Sequence, residues 1–142
     1  MPAAPTLTVR LAGLDDLDLV SSDGYLPLDV VRRKVLNHDV FVAVTEGEAI
    51  GFLRLEYLWS RIPYIAVIRV EEPNRRQGAG KALLAHVAGV LKEQGHAALY
   101  SSSQVDEATP QEWHRHMGFL ECGVLNGINE GGVGEVFFRK QL

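Results

Sequence analysis

The chemistry of this chain concentrates in one short stretch, Arg75-Arg76-Gln77-Gly78-Ala79-Gly80-Lys81. It lies between an apolar run ending at Val70 and a segment in which Leu84, Val87, Ala88 and Leu91 recur at helical spacing. A glycine-rich turn entering a helix points unpaired backbone N–H groups outward, and the helix dipole favours an anion at the same place. Gly78 and Gly80 carry no Cβ, so the main chain there can approach a ligand closely. Arg75, Arg76 and Lys81 add positive charge around it. A pyrophosphate is the guest this combination suits.

Two familiar phosphate loops are poor matches. A P-loop needs Gly-x-x-x-x-Gly-Lys-Ser/Thr. Gly80-Lys81 fits its end, but Arg75 stands where the first glycine belongs and Ala82 replaces the hydroxyl residue that would hold magnesium. A dinucleotide fingerprint needs a third glycine, which Lys81-Ala82-Leu83 does not supply, and it belongs at the first strand of a chain.

The remaining sequence provides the elements that hold such a turn. Thr6–Leu11 is a short β-like run, and Asp15-Asp16-Leu17-Asp18 suits a helix start. After Tyr25-Leu26-Pro27, the spacing of Leu28, Val31 and Val35 predicts a helix stopping at Asn37. Val40–Val44 is an apolar run of strand length. Glu46-Gly47-Glu48 offers a turn, and Ala49–Leu58 alternates Leu53, Leu55 and Tyr57 against Arg54 and Glu56 as a hairpin partner. Tyr64–Val70 is a third strand. The helix carrying Leu84 to Leu91 ends near Gly95, and Ala97–Ser101 reads as a buried strand. Thr109-Pro110-Gln111-Glu112 is a helix-start signature, with Thr109 as cap and Glu112 reaching back to it. That helix ends before Gly118. Leu120–Leu125 and Glu135–Lys140 form a last strand pair around Asn126–Gly134, a loop with four glycines. The order β-α-α-β-β-β-α-β-α-β-β describes an α/β (α+β) domain, a mixed sheet with helices packed on it.

Composition narrows the function classes. A chain of 142 residues, 46% hydrophobic and 23% charged with mean hydropathy +0.01, fits one domain with a real core; residues 1–142 read as one folding unit with 1–5 a flexible N-terminus. Net charge −4 and pI ≈ 5.7 leave no basic excess for nucleic acid. Apolar runs such as Ile65–Ile68 fall far short of the roughly 20 residues of a membrane span, and Met1–Pro5 lacks the blocks of a secretory signal. The single Cys122 has no partner for a disulfide, which points to a reducing, cytoplasmic setting. It alternates with Leu120 and Val124, which predicts a buried small hydrophobe. His38, His86 and His96 adjoin no cysteine pair, so no metal is expected.

The segment Val70-Glu71-Glu72-Pro73-Asn74-Arg75-Arg76-Gln77-Gly78-Ala79-Gly80 resembles the acyl-CoA motif of the GNAT superfamily of N-acetyltransferases. Val9-Arg10-Leu11-Ala12 with Asp15-Asp16-Leu17 looks like the superfamily's opening strand and helix, and Trp113-His114-Arg115-His116-Met117-Gly118-Phe119 like its late short helix. The match runs from about residue 6 to 140. It implies a mostly antiparallel sheet of six or seven strands flanked by about four helices. It implies acetyl-CoA as co-substrate, no metal, and an amine-bearing small molecule or peptide as acceptor, attacked in a ternary complex. The amides of Gln77, Gly78, Ala79, Gly80 and Lys81 would hold the CoA pyrophosphate, flanked by Arg75 and Arg76. The main chain of Ile68 and Val70 would serve the pantetheine and the acetyl carbonyl.

Catalytic side chains are less determined. Family members often carry a tyrosine where this chain has His114, which either protonates the departing thiolate or lies on the helix surface. Glu71 and Glu72 either accept the amine proton or are solvated loop charges. Tyr64 either serves as a base or packs with its hydroxyl at the rim. Ser101, Ser102 and Ser103 either line the thioester pocket, Ser103 foremost, or satisfy backbone groups. A homodimer through edge strands and a non-catalytic acyl-CoA-binding module both stay open. No nucleic acid or membrane partner is expected.

Overall fold

The computed structural model describes residues 6–142, so the expected flexible segment 1–5 lies outside the described residues. The elements run β1 (Leu7–Leu11), α1 (Leu17–Val20), α2 (Leu28–Leu36), β2 (Val40–Thr45), β3 (Glu48–Leu58), β4 (Ile62–Val70), α3 (Ala79–Glu93), β5 (Ala98–Gln104), α4 (Ala108–His116), β6 (Leu120–Leu125) and β7 (Glu135–Gln141). The strands form one seven-stranded sheet in the order β1-β2-β3-β4-β5-β7-β6. Pairing is antiparallel at β1–β2, β2–β3, β5–β7 and β6–β7, and parallel at β4–β5. This is the mixed sheet that the residue pattern suggests and, among the described residues, the mostly antiparallel arrangement with four α-helices that the resemblance implies. No described helix is long and apolar enough to cross a membrane.

The described residues group into two compact units: one holds the chain up to Leu55 together with Val67–Val87, the other Glu56–Ala66 together with Ala88–Leu142. In the first, α2 begins after Pro27 and stops at Asn37, whose N–H bonds back to the Arg33 carbonyl. Its Val31 and Val35 enter a core with Val20, Val40, Val42 and Phe52. Burying each such side chain contributes roughly 1.5–3 kcal/mol of transfer free energy.

Strand β3 departs from its alternating pattern. Arg54, expected to face outward, is 1% exposed. Residues 50–55 of β3 are all buried, so the strand has no solvent face there. Arg54 is tolerated because Asp23 takes both its terminal nitrogens, at 3.0 and 2.8 Å, and the Val20 carbonyl takes one at 3.0 Å. Asp23 feels burial, which raises its pKa, but the hydrogen bonds and charge of Arg54 outweigh that and hold it below the usual carboxylate range.

Ile50 is an extra residue of β3, since Ala43 pairs with Gly51 and Val44 with Ala49. At the same point β3 closes tightly on β4. A Cβ on Gly51 would lie 2.8 Å from the Arg69 carbonyl oxygen and 3.2 Å from Val70 Cα, so only glycine fits.

In the second unit, Leu91, Leu99, Phe119, Val136 and Phe138 are buried. Helix α4 starts one residue before the expected cap: Glu107 stands at the N-cap, no side chain caps it, and Thr109 and Pro110 lie within the first turn. Gln111 ties the helix start to the end of β5 by donating to the Gln104 and Val105 carbonyls at 3.1 and 3.0 Å. Cys122 is exposed, not buried. Its strand β6 is at the sheet edge with every residue exposed, and Cys122 is the extra residue where Glu121 pairs with Phe138 and Gly123 with Phe137.

Candidate active site

In the first unit, Ile68 to Lys81 form one strand–turn–helix stretch. The Glu71 N–H donates to the Ile50 carbonyl of β3 at 2.8 Å. Successive peptide groups of a strand point to opposite edges, so the N–H and C=O of Val70, and of Ile68, point away from β3. The Val70 carbonyl accepts Arg75 Nε at 2.9 Å. Arg75 therefore braces the strand end through its side chain. A short 3₁₀ turn, Glu72–Asn74, follows with Pro73 inside it.

The turn then reverses handedness twice. Arg76 has φ +68° and Gly78 φ +84°. For Arg76 the left-handed conformation costs on the order of 1–3 kcal/mol, an expense typical of ligand-binding turns. Gly78 takes it freely, and its carbonyl accepts the Ala82 N–H at 2.9 Å, the first bond of α3. The N–H groups of Ala79, Gly80 and Lys81 thus precede any intrahelical acceptor. Arg76, Gln77, Gly78 and Lys81 are exposed around them, while Ala79 is buried and seats the helix start. The backbone donors and helix dipole at this turn, with the exposed cations Arg76 and Lys81 in the same stretch, are chemistry for an anion. The carboxylates of Glu71 and Glu72 are exposed beside it.

In the second unit, the serine run of β5 divides between the sheet's two faces, because side chains alternate. Ser101 and Ser103 are buried, Ser102 lies on the other face. His114 of α4 is 4% exposed and lies flat on Phe138, ring centroids 4.6 Å apart. Its Nδ1 sits 2.7 Å from the Pro110 carbonyl oxygen, an acceptor only, so Nδ1 carries the proton. Nε2 is then the acceptor for the Ser101 hydroxyl at 2.7 Å. Burial pushes the His114 pKa below the usual histidine value, against the pull of the Pro110 carbonyl and the Glu135 charge. The helix-surface alternative expected for it does not match this enclosed ring. His116, two residues on, is exposed. Ser103 Oγ is buried with no hydrogen-bond partner among the described residues.

On the opposite face, Tyr64 Oη lies 2.6 Å from Ser102 Oγ, Ser102 Oγ donates to Glu135 Oε2 at 2.5 Å, and Asn129 Nδ2 donates to Glu135 Oε1 at 2.9 Å. Burial raises the Tyr64 pKa above its usual value, and the Glu135 and Glu56 charges add to that against the Ser102 hydrogen bond. Glu135 and Asn129 carry no sequence signal: they stand far from Tyr64 and Ser102 in the chain, and only the β4–β5–β7 pairing assembles them.

A family model described as the acetyltransferase (GNAT) family matches residues 16–119. The chain belongs to the GNAT acetyltransferase family. Streptothricin acetyltransferase of Streptomyces lavendulae is 31% identical over 97 residues, 67% of this chain, which spans about half (51%) of that relative's length. A GNAT-family acetyltransferase structure from Bacillus cereus superposes with TM-score 0.79 over 96% of this chain and 97% of its own, at 20% identity. A Bacillus anthracis protein described as a streptothricin acetyltransferase, solved in complex with acetyl coenzyme A, superposes with TM-score 0.66 at 22% identity, over 72% of this chain and 61% of its own. At these identities the structures establish the shared GNAT fold.

Proposed function

We propose that this GNAT-family chain transfers an acetyl group from acetyl-CoA to a primary amine of a small molecule or peptide by direct attack in a ternary complex. One observation carries the reading: the left-handed residues Arg76 and Gly78 lead into α3, whose first N–H groups have no intrahelical acceptor, and Arg76 and Lys81 are exposed within the same short stretch. The amides from Gln77 to Lys81 bind the CoA diphosphate. Arg76 and Lys81 add attraction at long range, and Arg75 holds the end of β4 through the Val70 carbonyl.

The Ile68 and Val70 main chain, directed away from β3, receives the pantetheine arm and the acetyl carbonyl. A Val70 N–H aimed at the carbonyl oxygen stabilises the tetrahedral oxyanion, an effect worth roughly 3–4 kcal/mol for a well-placed donor. The neutral amine forms the C–N bond, the C–S bond breaks, and CoA leaves as thiolate to be protonated. His114 is neutral at pH 7 and committed at both nitrogens, so we assign it to holding Ser101 and the α4–β5 contact.

The test has two stages. Isothermal titration with CoA, acetyl-CoA and dephosphorylated pantetheine measures whether the diphosphate dominates affinity. Thiol release is then followed with acetyl-CoA and three acceptors of different class: streptothricin, spermidine and a peptide with N-terminal alanine. Binding of CoA with amine-dependent thiol release supports transfer. Binding without release on any acceptor supports the acyl-CoA-binding module instead.

A further inference from the structure

Strand β6 ends the sheet, so one of its edges is paired with β7 and the N–H and C=O groups of the other meet no strand among the described residues. Every residue of it is exposed, Leu120 to 75%, Val124 to 55% and Leu125 to 47%. The strand holds neither lysine nor proline, the residues that usually keep a bare edge from pairing. Strand β1, at the other edge, does carry a charge there: Arg10 is bound to Asp16 at 2.7 Å.

The extra residue at Cys122 sets the phase of the strand. Leu120 pairs with Arg139, Gly123 with Phe137 and Leu125 with Glu135, which share one face of β7, while Glu121 and Val124 pair with Phe138 and Val136 on the other. In an uninterrupted strand, residues five apart face opposite ways; the bulge is what brings Leu120 and Leu125 to the same face. Turned end for end, Leu-Glu-Cys-Gly-Val-Leu therefore matches itself. Leu120 falls opposite Leu125 on one face, Glu121 opposite Val124 on the other, and Cys122 opposite Gly123. A bulge ordinarily blunts an edge, but here both strands contribute the same extra residue, so the count stays equal through the middle. Like charges do not meet. The two Glu121 side chains stand three residues apart along the paired strands, each held by its own Arg115 at 3.0 Å.

We propose that β6 pairs antiparallel with β6 of a second copy of this chain, about a two-fold axis at the level of the Cys122–Gly123 peptide, joining the two sheets edge to edge. The strand matches its own reverse, and its own reverse is what a second copy presents. The contact is isologous: each copy completes the open backbone edge of the other, and Leu120 against Leu125 closes it twice. A pairing of this length lies at the small end of specific interfaces, so monomer and dimer exchange. The inference is independent of acetyl transfer, since none of its residues belongs to the turn from Arg75 to Lys81.

The test is sedimentation equilibrium of the full chain over a range of concentrations, with circular dichroism to check that each variant is folded. Wild type should pass from 15.6 kDa to twice that mass as concentration rises. Leu120→Glu with Leu125→Glu sets like charges across both closing contacts and should weaken dimerisation at least about tenfold. Leu120→Glu with Leu125→Lys sets opposite charges across the same contacts, each beside its complement on β7, Arg139 and Glu135, and should restore it. A second readout needs no surface redesign. Strands about 4.8 Å apart with one residue of stagger, about 3.3 Å, put the two Cys122 Cα atoms about 6 Å from each other, within disulfide reach. Diamide, taking one hydrogen from each thiol, should turn the wild-type dimer into a covalent one that dithiothreitol reverses, and Cys122→Ser should dimerise without the cross-link. If the double variants do not fold, the cross-link decides. A doubly acidic variant that dimerises like wild type, a mixed-charge variant that does not recover, or a dimeric wild type that diamide does not cross-link overturns the proposal. So does a wild type that stays at monomer mass, which leaves the edge for an extended segment of another protein.

Discussion

The His114 imidazole lies on the Phe138 ring at 4.6 Å with only 3° between their planes, and both of its nitrogens are hydrogen-bonded. The ring is a packed, neutral part of the α4–β5 contact. Its pKa is lowered in the folded chain, so the unfolded chain binds a proton more readily on the acid side of neutrality. The stability it contributes is complete above the ordinary histidine pKa of about 6.5 and is lost as pH falls from there through the folded value. Urea unfolding between about pH 7.5 and pH 5 should show this loss, and His114→Phe should remove much of that pH dependence. Activity of His114→Gln measured at neutral pH separates packing from chemistry: a small drop fits the enclosed geometry.

Arg54 and Asp23 form a pair in which the two side chains are 1% and 2% exposed. Removing one partner leaves the other charge buried alone. Asp23→Asn or Arg54→Met should destabilise by about 3–5 kcal/mol, read from denaturant midpoints. The double variant Asp23→Leu with Arg54→Met should recover a large part, because no charge is left to desolvate. Asp23 is held below its usual pKa, so the stability it supplies is present above about pH 4 and fades as acid protonates it.

Gly51 tests the coupling between strand packing and cofactor binding. A methyl there meets the Arg69 carbonyl at 2.8 Å and Val70 at 3.2 Å, so Gly51→Ala must displace the end of β4. The expected cost is about 1–3 kcal/mol in stability, accompanied by weaker acetyl-CoA binding because Val70 moves. Gly89→Ala is the control. Nothing lies within 4 Å of its added methyl, and in mid-helix it should stabilise by about 0.5–1 kcal/mol with binding unchanged.

Much of this was legible beforehand, for a physical reason. Helix α2 stopping at Asn37, strand β2 and the apolar face of α3 are local, amphipathic patterns, and the turn from Arg75 to Lys81 is contiguous in the chain. Long-range facts were not. Arg54 looks like an outward residue because alternation assumes a solvated face, which β3 lacks. The Thr109 cap fails because α4 begins at Ala108, which puts Thr109 inside the first turn. The hydrogen bond from Ser102 to Glu135 exists only because β7 pairs with β5. Alternation with Leu120 and Val124 pointed to a buried Cys122, whereas β6 is the edge strand and is exposed along its length.

Arg75 and Arg76 are adjacent but should behave differently. Arg75 Nε is engaged with the Val70 carbonyl, so Arg75→Ala should lower both stability and affinity. Arg76 is exposed with a left-handed backbone, so Arg76→Gly should relieve that backbone, stabilising by up to about 1 kcal/mol, while weakening CoA binding through lost charge. The salt dependence of the CoA Kd should be shallower in Arg76→Gly and Lys81→Ala than in wild type.

The most direct measurement is an amide ¹H–¹⁵N titration of the folded chain with CoA. The account predicts that the largest shifts fall on Gln77 to Lys81, that they disappear when pantetheine lacking the diphosphate replaces CoA, and that Gly78→Ala weakens them. Saturable CoA binding whose shifts map to other residues, with the amides of 77–81 unmoved, would contradict it.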